Sequence, residues 1–302
     1  MSEEKVRPGR TGGPGMSLRR HPRAYGKNFY VYPVLSRRAR GISIGVNLNP
    51  DKVCNFDCIY CQVDRTTPGA VRDVDEARLT EELRAILEEA RTGALFKRPE
   101  FKDVPEPYRV VRDITFAGDG EPPSYPNFLG VVRDALAVKR AAGFGYLKVI
   151  LLTNATLIDR PKVKEAMRLM DQDHGEFWLK LDAGTEEYYR LIDRTTIPLR
   201  KVVANILEAA RVRPIVLQSL FMKVKGEGPS AAEVAAYCDR VRDVLDGGGE
   251  ISLIQVYTVA RRPAETYVTP LSDAEVDALA AEVRRRLPAT VPVETFYSER
   301  LS

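Results

Sequence analysis

The residues with the clearest chemical potential are three cysteines. Cys54, Cys58 and Cys61 lie within eight residues of one another, and the whole chain has four cysteines. Thiolates are the usual ligands of iron–sulfur clusters, and a four-iron cube normally takes four of them. Three thiolates leave one iron with an open coordination position, and such a position is typical of a catalytic metal site. The spacing therefore predicts a [4Fe-4S] cluster with one iron available to a ligand.

A structural zinc site is the main alternative for these thiols. Structural zinc is bound by four ligands at short, regular spacings. The chain has two histidines, His21 and His174, and neither lies at a finger-like spacing from the cysteines. The sequence favours iron–sulfur ligation, and a zinc-stabilised RNA-binding module is the alternative that metal analysis would decide.

The motif Cys-x-x-x-Cys-x-x-Cys, with the aromatic Tyr60 before its last cysteine, resembles the signature of the radical S-adenosylmethionine (SAM) superfamily. The resemblance implies that SAM chelates the open iron through its amino and carboxylate groups. It implies reductive cleavage of SAM to methionine and a 5'-deoxyadenosyl radical that abstracts hydrogen from a substrate. It also implies that Tyr60 packs against the adenine, and that a flavodoxin-type or ferredoxin-type partner supplies one electron.

Alternating strand and helix patterns surround this motif. The predicted strands cover 42–48, 113–117, 146–153, 177–181, 215–224, 251–259 and 291–296, and the predicted helices cover 76–91, 127–142, 161–172, 186–192, 199–212, 231–245 and 273–287. Repeated βα units favour a parallel sheet with right-handed crossovers. The sequence therefore predicts an α/β fold, a partial (β/α)6 TIM-like barrel with its site at the carboxyl ends of the strands.

A glycine-rich turn follows the second predicted strand. Its residues are Gly118, Asp119, Gly120 and Glu121, followed by a proline. Glycine lets a backbone approach a neighbour closely, and proline stiffens the turn. The turn resembles the Gly-Gly-Glu-Pro-like stretch of the radical SAM superfamily, which contacts the amino group of SAM. That resemblance assigns all four residues to cofactor binding, although Asp119 replaces the second glycine.

Polar residues also occur near the ends of later strands. Asn154 resembles the superfamily's Thr-Asn-Gly position, and Lys180, Asp182 and Gln218 belong to otherwise apolar strands. Buried polar groups are costly unless they are hydrogen-bonded. A ligand in the barrel mouth would supply the partners, so these four residues are predicted to bind the cofactor. An internal polar network is the alternative for Lys180, Asp182 and Gln218.

The domain organisation follows from composition. Residues 1–24 are rich in Arg, Gly and Pro and are predicted to be a disordered tail, whose arginines either contact nucleic acid or are simply solvated. Residues 25–302 are predicted to form one radical SAM domain, with a core over about 40–260 and an extension over 270–297. No apolar run reaches the roughly 18 residues of a membrane span. A soluble, cytoplasmic protein without membrane contact is expected, and the net charge of +4 permits an anionic partner.

Over about residues 30–270 the sequence also resembles one subgroup of the superfamily. The segment 32–41 and Leu181-Asp182-Ala183 look like the subgroup that includes the wyosine-type tRNA-modifying enzymes. Those enzymes hold a second cluster through cysteines upstream of the motif, and this chain has none there. A tRNA or protein substrate is therefore a hypothesis. A glycyl-radical-enzyme activator, a small-molecule radical SAM enzyme, and a non-enzymatic iron–sulfur electron-transfer or sensor protein are the alternatives.

Three arginines of that segment bear on the substrate. Arg37, Arg38 and Arg40 could contact RNA phosphates, because cationic side chains supply most sequence-independent affinity for nucleic acid. They could equally pair with acidic surface residues or pack against the edge of the barrel.

Overall fold

The computed structural model describes residues 25–69 and 71–298, and the predicted tail over 1–24, with His21, lies outside them. The strands are β1 (Val31–Ser36), β2 (Gly41–Val46), β3 (Val111–Phe116), β4 (Lys148–Thr153), β5 (Gly175–Lys180), β6 (Ile215–Leu220), β7 (Met222–Val224), β8 (Ile251–Tyr257), β9 (Val268–Pro270) and β10 (Val293–Phe296). The helices are α1 (Glu76–Thr92), α2 (Phe128–Ala141), α3 (Pro161–Asp171), α4 (Glu186–Asp193), α5 (Leu199–Val212), α6 (Ala231–Asp246) and α7 (Asp273–Arg286). None of the helices in this part of the chain combines the length and apolar character needed to cross a membrane.

Eight strands form one curled sheet in the order β1-β2-β3-β4-β5-β6-β8-β10. β1 is antiparallel to β2, and every other neighbouring pair is parallel. Strands β7 and β9 pair separately as a small antiparallel sheet. The predicted α/β fold with a partial TIM-like barrel is confirmed.

Three strand assignments differ from the sequence prediction. β1 was not predicted, because Pro33 lacks the backbone N–H that an interior strand needs; as an edge strand, β1 tolerates it. The predicted strand over 215–224 is divided into β6 and β7 at Phe221. β9 was also not predicted, since a strand of three residues carries little periodic signal.

Side chains that alternate along the strands separate the two faces of the sheet. On β4, Val149 and Leu151 pack into the large core, whereas Ile150 packs with Trp178 and Val216 in a smaller cluster. Because successive side chains of a strand point to opposite faces, this second cluster lies inside the curl of the sheet. The inner face is therefore where polar side chains of the same strands can meet a ligand.

A buried carboxylate attaches the amino-terminal strand to the first helix. Glu82 of α1 accepts hydrogen bonds from the backbone N–H groups of Phe29, Tyr30 and Val31 at 2.9, 2.9 and 3.1 Å. Charge-assisted hydrogen bonds of this kind are stronger than neutral ones. They hold β1, and the turn that follows it, beside the parallel sheet.

Asp113 on β3 makes the stability of the fold depend on pH. It accepts hydrogen bonds from the hydroxyls of Ser43 and Thr115, and burial raises its pKa from 3.8 to about 6. The folded state therefore favours the protonated acid. This contribution to stability is complete below 3.8 and is lost as the pH rises through about 6.

Asp113→Asn is expected to flatten the stability profile, because an amide has no proton to lose in this range. Urea unfolding measures the free energy of unfolding at each pH. Between about pH 4 and about pH 7 this free energy should fall by about 2 kcal/mol more in the parent than in the variant. Asp134→Asn, at an exposed position on α2, is the matched control and should follow the parent. Parallel profiles for Asp113→Asn and the parent would contradict the assignment.

Candidate active site at the mouth of the sheet

A cavity of about 230 Å³ opens at the carboxyl ends of the parallel strands. Of the residues predicted to bind metal or cofactor, the following line it: Cys54, Cys58, Tyr60, Cys61, Gly118, Asp119, Gly120, Glu121, Asn154, Lys180 and Gln218. Asp182 does not line the cavity and lies buried beside it. The fold thus brings together side chains that are up to 164 residues apart in the sequence, from Cys54 to Gln218.

The three thiols lie on one loop, residues 54–61, called the cysteine loop below. The end of α4 holds this loop, because the N–H groups of Asp57 and Ile59 donate to the carbonyl oxygens of Asp193 and Ile192 at 3.2 and 2.8 Å. Within the loop the N–H of Cys61 donates to the carbonyl of Cys58 at 2.9 Å. The sequence motif is therefore a loop held in place by a distant helix.

Each thiol has a different environment. The Cys58 thiol donates to Asp193 Oδ1 at 3.2 Å, and Arg65 Nη2 donates to Cys61 Sγ at 3.6 Å. Burial raises the pKa of Cys54 and raises that of Cys58 well above its ordinary value. Such thiols stay protonated in the free protein, so loading a metal cluster requires them to release protons.

The donor set fits an iron–sulfur cluster. All three sulfur-bearing residues are partly exposed and line the same cavity. Within residues 25–69 and 71–298, no three Cys, His, Asp or Glu side chains are placed to share a single metal ion. This arrangement is compatible with a cluster, because each thiolate of a cluster binds a different iron.

The glycines of the 118–121 turn pack against the chain that leads into the cysteine loop. A Cβ on Gly118 would lie 2.6 Å from Asn47 Cγ. A Cβ on Gly120 would overlap the carbonyl oxygen of Val53 and lie 2.7 Å from Asn49 Cβ. The two positions therefore need glycine because the 118–121 turn closely approaches the end of β2 and the loop that follows it.

Asn47, at the end of β2, connects the two segments and was missed by the sequence prediction. Its Oδ1 accepts from the N–H groups of Asn49 and Asp119 at 3.0 and 3.1 Å, and its Nδ2 donates to Asp119 Oδ2 at 2.7 Å. The signal was available, since Asn47 is a polar residue at the end of an apolar strand. Asp119, which departs from the superfamily pattern, therefore has a structural partner.

Glu121 is a buried carboxylate at the cavity wall. It accepts from the Thr153 hydroxyl and from the backbone N–H of Asn154, the latter at 2.9 Å. Burial raises the pKa of Glu121 to about 7, against the opposing effect of these two hydrogen bonds. Asn154 in turn donates from Nδ2 to Asn55 Oδ1 at 2.7 Å, so the ends of β3 and β4 are linked to the cysteine loop.

A polar network lies behind Tyr60. Its hydroxyl is 2.5 Å from Asp182 Oδ2 and 2.7 Å from Asp193 Oδ1, and it accepts from Lys180 Nζ at 2.6 Å. One hydroxyl has one proton, so it donates to one carboxylate at a time. Burial, followed by the charge of Asp182, raises the pKa of Asp193 to about 7.

Lys180 belongs both to this network and to the cavity. Its Nζ lies 3.0 Å from Asp182 Oδ2 and 4.4 Å from the centre of the Tyr60 ring. Burial acts to lower the pKa of Lys180, but the charges of Asp182 and of other neighbouring groups together outweigh it, and the pKa is raised well above the ordinary value. Lys180 is therefore a cation at neutral pH.

The strand-end residues differ in whether they lie in an internal network or at the cavity. Asp182 belongs to an internal network, because it also accepts the backbone N–H of Leu220 at 2.7 Å. Gln218 lines the cavity and donates to Gln255 Oε1 at 2.8 Å. The cavity is also lined by residues that were not predicted to bind metal or cofactor, among them Arg38, Arg65, Tyr257 and Arg261.

The fold and the cysteine loop agree with a comparison against protein families. Residues 48–236, more than half of the chain, match the family model of the radical SAM superfamily. The chain therefore belongs to the radical SAM superfamily and is an enzyme of the radical SAM class.

Curated relatives of this chain include UPF0026 proteins from a bacterium and an archaeon. A UPF0026 protein of Helicobacter pylori is 25% identical over 246 residues, which are 81% of this chain and 70% of the relative. A UPF0026 protein of Methanocaldococcus jannaschii is 31% identical over 176 residues, which are 58% of this chain and 46% of the relative. These matches add sequence relatives without naming a substrate.

Solved structures share the fold. SuiB of Streptococcus suis has a TM-score of 0.54 at 12% identity, over 86% of this chain and 51% of SuiB, so the chain spans about half of that protein. The structure of TYW1 with a lysine-pyruvate adduct bound has a TM-score of 0.50 at 15% identity, over 82% of this chain and 74% of that one. At these identities the likeness shows the fold alone.

Proposed function

We propose that this enzyme binds a [4Fe-4S] cluster through Cys54, Cys58 and Cys61 and reductively cleaves SAM in the cavity beside them. The observation that carries the proposal is that the three thiols and the 118–121 turn line one cavity at the carboxyl ends of the strands. When bound, the cluster and SAM together supply a 5'-deoxyadenosyl radical for hydrogen abstraction. A cluster used only for electron transfer or sensing would have no need of this lined cavity.

The side chains at the cavity wall have opposite charges that suit an amino acid group. Glu121 is buried, and its ionised form attracts an ammonium group. Lys180 is a cation whose side chain is 20% exposed, so it can attract a carboxylate from the cavity side. We assign Glu121 and Lys180 to orienting the methionine part of SAM, and the 118–121 backbone to hydrogen bonding with it.

Lys180 is assigned a charge role rather than a covalent one. A lysine-pyruvate adduct is bound in the TYW1 structure that shares this fold. A lysine that forms an imine must first lose its proton, and activated lysines have lowered pKa values. Burial lowers the pKa of Lys180, but the charges of Asp182 and other neighbouring groups together raise it above the ordinary value, which favours the protonated amine. An imine at Lys180 is therefore not part of the proposed reaction.

The substrate and the electron donor are further parts of the proposal. We propose tRNA as the candidate substrate on the sequence resemblance to the wyosine-type subgroup, and a flavodoxin-type or ferredoxin-type protein as the electron donor. Bulk tRNA should then increase the rate of 5'-deoxyadenosine formation. An unchanged rate, with a change in the rate on adding another substrate class, would count against tRNA.

Metal and spectroscopic analysis tests the cluster directly. Anaerobically reconstituted protein is expected to contain about four irons per chain and to give the electron paramagnetic resonance signal of a reduced four-iron cluster. Addition of SAM should change that signal, because a ligand arrives at the open iron. Zinc without iron after anaerobic purification would contradict the proposal.

Glu121→Gln is expected to weaken SAM binding by roughly tenfold or more, because a charge-assisted hydrogen bond is replaced by a neutral one. Equilibrium dialysis of reconstituted protein with SAM measures the change. Glu165→Gln, at an exposed position on α3, is the matched control and should bind SAM like the parent. If Glu121→Gln and the parent bind SAM with equal affinity and have the same cluster content, the assignment of Glu121 to SAM binding is contradicted.

A further inference from the structure

The turn between β1 and β2 places an arginine at the cavity. Arg38 lines the cavity, and its guanidinium carbon lies 5.4 Å from the ring centre of Trp178 and 4.9 Å from that of Tyr257. Both rings belong to strands of the curled sheet, β5 and β8. The side chain therefore reaches from the edge hairpin to the inner face of the sheet.

The guanidinium has an unused donor. Arg38 Nη1 is buried, and no acceptor among residues 25–69 and 71–298 lies within hydrogen-bond distance of it. The same holds for Nη1 of the neighbouring Arg37. In this part of the chain neither arginine forms an ion pair with a carboxylate within 4.0 Å. A charged donor that is buried without an acceptor is costly, so an anion would stabilise it.

Two carboxylates on or next to β5 already have partners. Glu176 accepts from Trp178 Nε1 at 2.6 Å and pairs with Lys148, and Asp182 pairs with Lys180. Burial, together with the charge of Arg38, lowers the pKa of Arg37 to about 10. The region beside Trp178 and Tyr257 therefore has an excess of positive charge.

The position of Arg38 in the cavity differs from that of the cysteine loop. Trp178 precedes Lys180 by two residues on the same face of β5, which is a separation of about 6.6 Å along the strand. Lys180 contacts Tyr60 of the cysteine loop, whereas Arg38 contacts Trp178. Arg38 thus contacts a different part of β5 from the part that contacts the cysteine loop.

We propose that Arg38 binds an oxyanion of the substrate, a carboxylate or a phosphate, inside the cavity. The planar guanidinium presents paired N–H donors that match such groups. A cavity of about 230 Å³ takes a small molecule or the end of a larger one. This inference rests on the proposed function, because it names the substrate class of the same site.

The single tryptophan of the chain gives a local measurement. Trp178 is the chain's one tryptophan, and Arg38 lies over its ring, so its fluorescence reports on Arg38. Reconstituted full-length protein with saturating SAM and no reductant is titrated with inorganic phosphate or with acetate, at constant ionic strength. The parent should show a saturable change with one or both anions, and the better anion identifies phosphate or carboxylate.

Substitutions of Arg38 test whether the anion binds to this side chain. Arg38→Met should raise the half-saturating anion concentration at least about tenfold, and Arg38→Lys should give an intermediate value because it keeps the charge without the planar fork. Arg40→Met, at the exposed position of the same turn, should match the parent. Circular dichroism checks that each variant is folded.

Three results would overturn the proposal. They are no saturable change in the parent with either anion, equal midpoints for the parent and Arg38→Met, and a change that is seen without SAM but lost when SAM is saturating. The last result would assign Arg38 to SAM itself. Because the titration needs no SAM cleavage, it can fail while 5'-deoxyadenosine still forms, and it can succeed when cleavage fails.

Discussion

Replacing any one of Cys54, Cys58 and Cys61 with alanine is expected to abolish SAM cleavage and to lower the iron content from about four per chain to below one. Two thiolates and the surrounding side chains do not provide the three ligands that the proposed cluster requires. Iron analysis after anaerobic reconstitution and assay of 5'-deoxyadenosine measure the two effects.

Cys238→Ala is the matched control for these three variants. Cys238 is fully buried in α6, and burial raises the pKa of its thiol to about 11. It therefore behaves as a small apolar side chain, and its replacement should lower stability modestly without changing iron content or SAM cleavage. Full iron content and normal cleavage in Cys58→Ala would contradict the cluster assignment.

Gly120→Ala is expected to reduce both cluster content and SAM cleavage by about tenfold or more. The added Cβ would overlap the carbonyl oxygen of Val53, the residue that precedes Cys54. Because the obstacle is backbone and not a flexible side chain, the cysteine loop has to move, and overpacking costs about 1–3 kcal/mol. Iron analysis, 5'-deoxyadenosine assay and urea unfolding measure the three consequences.

Gly145→Ala controls for the change from glycine to alanine. No heavy atom outside the adjacent residues lies within 4 Å of a Cβ at Gly145, and its backbone is not in the left-handed region. This variant should keep the iron content and activity of the parent. A Gly120→Ala protein with the parent's iron content, activity and stability would show that the turn and the cysteine loop are not packed as described.

The sequence predicted the parts of the site that are local in the chain. Cysteine spacing and the Gly118-Asp119-Gly120-Glu121 order are short patterns, and both segments line the cavity. Parallel strands bring their carboxyl ends to one edge, which is why Asn154, Lys180 and Gln218 were also found there. The predicted order of strands and helices was enough to place these residues at that edge, and side-chain contacts did not have to be known.

Residues whose role depends on distant partners were not predicted. Asp193 is 135 residues from Cys58, to which it is hydrogen-bonded, and Asn47 is 72 residues from Asp119. β1 was missed because Pro33 is unfavourable in all but an edge strand. Arg38 reaches the cavity because it lies on the turn between β1 and β2, and this hairpin was not predicted. From the sequence, RNA contact and packing were therefore both possible roles for Arg38.

The two glycines have a structural reason that the sequence did not reveal. The sequence suggested that Gly118 and Gly120 allow a ligand to approach the backbone. The structure shows that both glycines allow the chain around Asn47 and Val53 to approach the turn. The 118–121 turn and the cysteine loop therefore depend on each other, and a substitution in one should be detected in the other.

The most direct measurement is reductive SAM cleavage. Reconstituted protein is incubated anaerobically with SAM and dithionite, and 5'-deoxyadenosine and methionine are quantified with and without bulk tRNA. We predict that both products form in equal amounts in the parent and are absent in Cys58→Ala. A parent protein that holds about four irons per chain and binds SAM, but releases no 5'-deoxyadenosine on reduction, would contradict the proposed reaction.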